Sequence, residues 1–426
     1  MGLCRFFAVS HNIGAKDILM NKSKKKPQKW LKPRHKLVRG ILGLTLGVYT
    51  KFKYNIDIKP AGERKERQYL ILFNHQTAFD QFFVSMAFKK PIYFLASEDL
   101  FSKGFLSRVI KFLVNPIPIK KQTTDPRAVI TCIKVAREGG TIALAPEGNR
   151  TYSGKPVHIK PSIAQLAKHL KLPIALFRIE GGYGVHPRWS DVVRGGSMRA
   201  GVSRIIEPDE YENMSDDELL TLIKNELCVD ESKLEGRYPH PRQAEYLERA
   251  LYYCPDCGLS RFESKNDTVK CKRCGLSVRH LDTKMLEGIN RNFPYSSVAE
   301  WFDAQSEFIR KAEPSYFGEG ALEEDTVELS EVILYKKKRT IAKNAELTLY
   351  RDRITLCREG QVILEIPFED ASVVTVLGKN KLNYYLRDKV YQIKGDKRLC
   401  AVKYMNLFYK FKNEKKGDTY AEFLGL

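Results

Sequence analysis

Two short polar blocks hold the residues best suited to chemistry: Asn74-His75-Gln76-Thr77-Ala78-Phe79-Asp80 and Pro146-Glu147-Gly148-Asn149-Arg150-Thr151. Each directly follows an apolar run that reads as a buried strand, residues 69–73 and 141–145. Polar groups at strand ends are where α/β folds place reactive side chains, because the sheet is rigid and the loops beyond it converge. The two blocks can therefore share one pocket. His75 is a candidate general base, since imidazole changes charge near neutral pH. Asp80 is a candidate partner to fix its tautomer and stabilise the imidazolium. Arg150 offers a planar fork suited to phosphate.

The elements that must position these groups follow from the pattern around them. Apolar runs alternate with helical periodicity from 69 to 207, which implies an α/β domain. Further strands are expected at 93–96, 115–119, 174–180 and 197–206. Asp125-Pro126 and Lys160-Pro161 mark helix starts, and Ser215-x-x-Glu218 is a capping box opening a helix that Cys228 closes.

These blocks resemble the glycerolipid acyltransferase family, which carries His-x4-Asp and then Glu-Gly-x-Arg some seventy residues later. Here His75 and Glu147 stand 72 apart. Residues 97–121 (SEDLFSKGFLSRVIKFLVNPIPIKK) are similar to the family's second block, and Leu172-Pro173-Ile174-Ala175-Leu176 resembles its fourth. The likeness covers about 36–209. It implies acyl transfer from a thioester or acyl phosphate to the hydroxyl of 1-acylglycerol 3-phosphate, with His75 as base and Asp80 as its partner. It places Lys121, Glu147, Gly148, Arg150 and Pro173 around the substrate, with Arg150 and Lys121 facing the acceptor phosphate. Two departures bear on how that phosphate is held: Lys120-Lys121 stand where the family usually has an arginine, and Asn149 where threonine is common. Glycerol 3-phosphate or another lyso-lipid is the alternative acceptor, and acyl-CoA, acyl carrier protein or acyl phosphate are the donors to weigh. Catalysis requires no cofactor.

At 426 residues the chain exceeds one usual core. Its net charge of +21 calls for a polyanionic partner: nucleic acid, an anionic membrane or an acidic carrier protein. Between Asp17 and Asp57 there is no acidic residue, and eleven basic ones run from Lys22 to Lys53. Within that run, residues 37–49 (LVRGILGLTLGVY) fall short of the ~20 apolar residues a spanning helix needs. A short apolar helix in a basic setting points to an interfacial helix on anionic lipid, and to a peripheral enzyme at the cytoplasmic membrane face. The first twenty residues lack a secretory signal, and Phe6 spoils a myristoylation motif. Met1 and Met20 both remain possible starts. An odd cysteine count of nine fits a reducing compartment.

Cys254-x2-Cys257 and Cys271-x2-Cys274, thirteen residues apart and each ending in glycine, read as a zinc ribbon. Four thiolates close a tetrahedral shell, so the Zn²⁺ is expected to be structural. Lys270, Lys272, Arg273 and Arg279 would permit nucleic-acid contact, so the rival class is a zinc-ribbon nucleic-acid-binding or lipid-binding protein. That class leaves the ordered blocks unexplained. The expected division is a basic leader over 1–35, an acyltransferase domain over 36–235, the ribbon over 236–282 and a helical linker over 283–325. A mainly β domain over 326–426, with a C-terminal helix, resembles a pleckstrin-homology or GRAM-type architecture. The stretch 236–243 (GRYPHPRQ) reads as a linker, and Glu323-Glu324-Asp325 as a boundary.

Overall fold

A computed structural model describes residues 29–62, 67–119, 125–333, 336–415 and 423–425. Lys121 and most of the basic leader lie outside them. The chain opens with helix α1 (Pro33–Tyr54), then β1 (Ile56–Ile58), β2 (Leu70–Phe73), α2 (Asp80–Ala87), β3 (Ile92–Ser97), α3 (Phe105–Val114) and β4 (Ile117–Ile119). After them come α4 (Pro126–Arg137), β5 (Thr141–Leu144), α5 (Ser162–Leu170), β6 (Ile174–Glu180), a single turn α6 (Gly182–Val185), β7 (Met198–Ile206), α7 (Pro208–Tyr211) and α8 (Asp216–Leu227). The seven strands form one mixed sheet in the order β1-β7-β6-β2-β5-β3-β4, in which β6 and β7 are antiparallel and the other pairs parallel.

The sequence dictates these elements locally. Asp125 caps α4 by accepting from the Arg127 and Ala128 amides at 3.1 and 3.3 Å, ahead of Pro126 at the first helical position. Ser215 and Glu218 make the expected capping box, and Cys228 ends α8. Strand β2 (LILF) is buried on both faces because its alternate residues enter two cores. Leu70 and Leu72 join Cys132, Val135, Ile163 and Ala167 of α4 and α5, while Ile71 and Phe73 join Phe83 and Val84 of α2.

Beyond α8 come two small sheets, a two-stranded one of β8 (Tyr253–Cys254) and β9 (Gly258–Leu259) and a four-stranded one of β10 (Phe262–Lys265), β11 (Thr268–Cys271), β12 (Ser277–His280) and β13 (Leu286–Gly288), followed by α9 (Val298–Lys311). The C-terminal sheet comprises β14 (Glu323–Glu331), β15 (Arg339–Leu349), β16 (Arg353–Arg358), β17 (Gln361–Pro367), β18 (Val373–Leu377), β19 (Lys381–Tyr385) and β20 (Val390–Lys394). Its order is β17-β16-β15-β14-β20-β19-β18, antiparallel throughout, and α10 (Ala401–Lys415) packs on it.

Two features differ from the sequence reading. Glu323, Glu324 and Asp325 are strand residues, paired with Leu349, Thr348 and Leu347, not a boundary. Acidic residues are tolerated there because buried Lys403 reaches Glu323 at 2.6 Å and the Tyr404 hydroxyl donates to Asp325 at 2.7 Å. The stretch 236–243 is mostly exposed but anchored at two residues, Tyr238 and Gln243: Tyr238 is buried in the sheet core, against Gly184 and Gly196, where any Cβ would collide with its ring.

Candidate active site

Strands β2 and β5 are parallel neighbours, with Leu70 opposite Ile142 and Leu72 opposite Leu144. Their C-terminal ends therefore lie about 4.8 Å apart, and the two polar blocks leave the sheet side by side. Asn74 fixes the start of the first block. Its side chain donates to the Ile179 carbonyl at 2.8 Å and accepts from the Ile179 amide at 2.7 Å, extending the pairing of β2 with β6 by one residue.

Asp80 is the first residue of α2 and fully buried. Its Oδ2 accepts from His75 Nδ1 at 2.8 Å and from the Gln76 amide at 2.7 Å. Its Oδ1 accepts from the Thr77 amide at 2.9 Å and the Thr77 hydroxyl at 2.7 Å. The position at a helix N-terminus adds the favourable end of the peptide dipoles. Because the carboxylate occupies Nδ1, the proton-accepting role falls to Nε2 of His75.

The second block supplies Glu147 and Arg150. Glu147 is buried, and that burial raises its pKa well above the usual carboxyl range; a hydrogen bond from the His75 backbone opposes the rise and the nearby Asp80 charge adds to it. Gly148 has φ +66°, a region that favours glycine, and a Cβ there would meet nothing within 4 Å, so the loop presents open backbone beside Glu147. Arg150 Nη1 is buried with no hydrogen-bond partner among the described residues. Burial lowers the Arg150 pKa, opposed mainly by the nearby Asp80 charge.

His75, Glu147, Gly148 and Arg150 all line one cavity of about 810 Å³. Away from them its walls are mainly apolar, with Leu42 and Leu46 of α1, Leu95 of β3, and Ile110 and Leu113 of α3, although Arg39, Asp99, Lys103 and Lys160 also line it. The thiol lining it, Cys132, is pushed up to about 12 by burial, so no thiolate is available there as a nucleophile. Pro173 is not brought to this site. It precedes β6 at the opposite, N-terminal end of β2 and β6, where its carbonyl accepts from the Leu70 amide at 2.9 Å.

Sequence reasoning missed a buried group behind the site. His186, just after α6, shares a hydrogen bond of 3.2 Å between its Nδ1 and the Tyr54 hydroxyl. Burial, with Lys379, Arg150, Lys53 and Arg194 nearby, lowers His186 to about 3, so it is neutral at physiological pH. Neither residue belongs to a periodic pattern or motif. They are 132 positions apart, and no local signal could have paired them.

A second cluster joins the two small sheets, with Cys254 on β8 and Cys271 on β11. The sulfurs of Cys254, Cys257, Cys271 and Cys274 all lie within 4.8 Å of one another, with Cys254 to Cys274 at 3.7 Å and Cys257 to Cys271 at 3.6 Å. Zinc–sulfur bonds of about 2.3 Å in a tetrahedron require edges of about 3.8 Å, so the four thiols fit such an ion. Around it Arg273 donates to the Cys257 carbonyl, Arg291 pairs with Asp256 and Arg279 with Asp267 and Glu287. These arginines are thus engaged within the protein.

Residues 55–179 match the family model for acyltransferases. The 1-acyl-sn-glycerol-3-phosphate acyltransferase of Bacillus subtilis (strain 168) is 20% identical over 146 residues, which cover 34% of this chain and 70% of that protein. A crystal structure of the 1-acyl-sn-glycerophosphate (LPA) acyltransferase from Thermotoga maritima is similar at 20% identity and a TM-score of 0.39, covering 45% of this chain and 77% of that one.

Proposed function

We propose that this protein transfers a fatty acyl group from a thioester or acyl phosphate to the hydroxyl of a lyso-phospholipid bearing a phosphate, 1-acylglycerol 3-phosphate being the first candidate. The observation that carries the reading is the His75–Asp80 pair, at 2.8 Å, on the wall of a cavity that also holds Glu147 and Arg150. Its volume lies within the range of small-molecule sites, and its apolar walls suit a hydrocarbon chain. In this scheme His75 Nε2 takes the proton of the acceptor hydroxyl as that oxygen attacks the acyl carbonyl. An ester C–O bond forms, the bond to the leaving group breaks, and the imidazolium returns its proton to the departing thiolate or phosphate. Burial favours the protonated form of Glu147, which can donate a hydrogen bond to an acceptor oxygen. Arg150 offers its guanidinium to the phosphate. No covalent enzyme intermediate is needed.

A structural Zn²⁺ in the four-thiolate cluster is part of the same proposal, as is a lipid-facing role for the C-terminal sheet, whose seven antiparallel strands and closing helix support the pleckstrin-homology-like reading. Zinc would cross-link the ribbon and supply no step of the reaction. We also propose attachment to anionic membrane. Among the described residues no helix is long and apolar enough to cross a membrane. Instead Leu37, Ile41, Leu44, Val48 and Phe52 form an exposed stripe on α1, beside exposed Phe105, Leu106 and Phe112 of α3.

The test is purified protein with labelled acyl donors and a panel of lyso-lipids. His75→Ala should abolish transfer with the fold intact, and Asp80→Asn should lower kcat by about 10²-fold or more. Near wild-type turnover in His75→Ala sinks the mechanism.

A further inference from the structure

The loop bearing Glu147 and Arg150 runs from the end of β5 to α5 with no regular structure, so its backbone must be fixed by individual contacts. One of these comes from Arg188, which is 2% exposed. Its Nη1 donates to the Arg150 carbonyl at 2.9 Å. Its Nη2 and Nε donate to the carbonyls of Val376 and Gly378 at 3.0 Å each. The last two acceptors lie at the turn between β18 and β19 of the C-terminal sheet. The guanidinium also stacks on Tyr152, 4.2 Å from the ring centroid, two residues beyond Arg150. Among the described residues no carboxylate pairs with Arg188, so these carbonyls and the ring are its surroundings.

We propose that Arg188 is a positioning residue that makes the C-terminal β-domain part of the acceptor site, by holding the backbone of Arg150 against the β18–β19 turn. This rests on the acyl-transfer reading above, in which Arg150 receives the acceptor phosphate. Three acceptors on two domains match the planar fork of one arginine, a geometry that lysine cannot reproduce. Other contacts hold the loop on either side: the Gly148 amide donates to the Ala145 carbonyl, the Thr151 hydroxyl accepts from the Gly154 amide, and the Gly154 carbonyl accepts from the Glu231 amide. Releasing Arg188 removes the hold on the Arg150 carbonyl itself while leaving the His75–Asp80 pair intact, and the effect belongs in acceptor affinity rather than in proton transfer.

The experiment compares Arg188→Gln and the milder Arg188→Lys with Arg249→Gln. Arg249 is equally buried and binds the Trp189 carbonyl and Asp191, but not Arg150. Arg188→Gln should raise the acceptor KM about tenfold or more with kcat within about threefold, Arg188→Lys should fall between it and wild type, and Arg249→Gln should lower thermal stability without moving the KM. A readout that needs no activity accompanies it: amide hydrogen exchange over residues 149–152 should quicken in both Arg188 variants and not in Arg249→Gln. Folded Arg188 variants with wild-type KM and unchanged exchange overturn the inference. Equal KM increases in the Arg249 variant would reduce Arg188 to a general structural role and overturn it too. If the wild type transfers no acyl group, the function reading fails, and unchanged exchange would then defeat the positioning role separately.

Discussion

Asp80 does several things at once: it holds the His75 ring, the backbone turn before α2 and the Thr77 hydroxyl, all with one buried carboxylate. Removing its charge would therefore disturb tautomer and turn together. His186 is the other residue whose ionisation matters. Its folded-state pKa of about 3 lies below the ordinary 6.5 because of burial first and nearby cations second. The unfolded chain then takes up a proton from about pH 6.5 downward while the folded protein does not, so stability present above pH 6.5 is lost as the pH falls toward 3. The slope from this residue approaches about 1.4 kcal/mol per pH unit well below pH 6.5 and sums to about 1.7 kcal/mol between pH 6.5 and 5. His186→Asn should lose less stability over that interval in urea unfolding at pH 7, 6 and 5. Parallel curves for variant and wild type would mean that His186 is not held neutral. His75, Asp80, Glu147 and Arg150 were legible because spacing and strand ends announce them. His186, Tyr54 and Arg188 were not, since their roles depend on partners 38 to 190 positions away.

Helix α1 shows what periodicity reveals and what it hides. The apolar core of the stretch was legible, but the helix spans 22 residues and has two working faces. One lines the cavity through Leu42 and Leu46, and the other leaves Leu44 at 76% and Phe52 at 82% exposure. Arg34 fastens this helix to α3, donating to the Phe112 carbonyl at 2.8 Å and stacking on its ring at 4.1 Å. An exposed apolar stripe next to exposed Lys36, Lys51 and Lys53 suits an anionic interface. Full burial of one such side chain contributes about 1.5–3 kcal/mol, so Phe52→Ser should weaken binding to anionic vesicles about tenfold. Sedimentation with liposomes reads this directly, and binding should fall further as salt shortens the screening length. Binding unchanged by Phe52→Ser and Leu44→Ser would show that this face has another purpose. Helix starts were legible from their caps. Strand β14 was not, because its opening run Glu323-Glu324-Asp325 mimics a linker until Lys403 and Tyr404, about eighty positions away, are brought beside it.

At the scale of the whole molecule the ribbon does not stand alone. Read as sequence, it is a module of ~45 residues with little core, dependent on metal to fold. In the structure its Cys254, Cys271, Val269 and Val278 share one hydrophobic core with Tyr152 and Trp189 of the first domain and with Leu329, Leu347 and Phe408 of the last. Arg249, six residues beyond the proline-bearing stretch 236–243, clamps Asp191 at 2.8 Å and the Trp189 carbonyl, and Lys379 of the C-terminal sheet reaches the same Asp191 at 2.7 Å. Such long-range packing leaves no mark in local composition, which is why the modules read as separate. It changes what metal removal should do. If Zn²⁺ occupies the four thiolates, metal analysis should find one ion per chain, and a strong chelator should lower the thermal midpoint of the entire protein in a single transition. Acyl-transfer activity should then decline in step with unfolding, because the loop carrying Arg150 loses the core beneath Tyr152. Replacing Cys254 or Cys271 with serine should give the same result without chelator. A separate low-temperature transition with activity retained would show instead that the ribbon melts alone and that the catalytic loop does not depend on it.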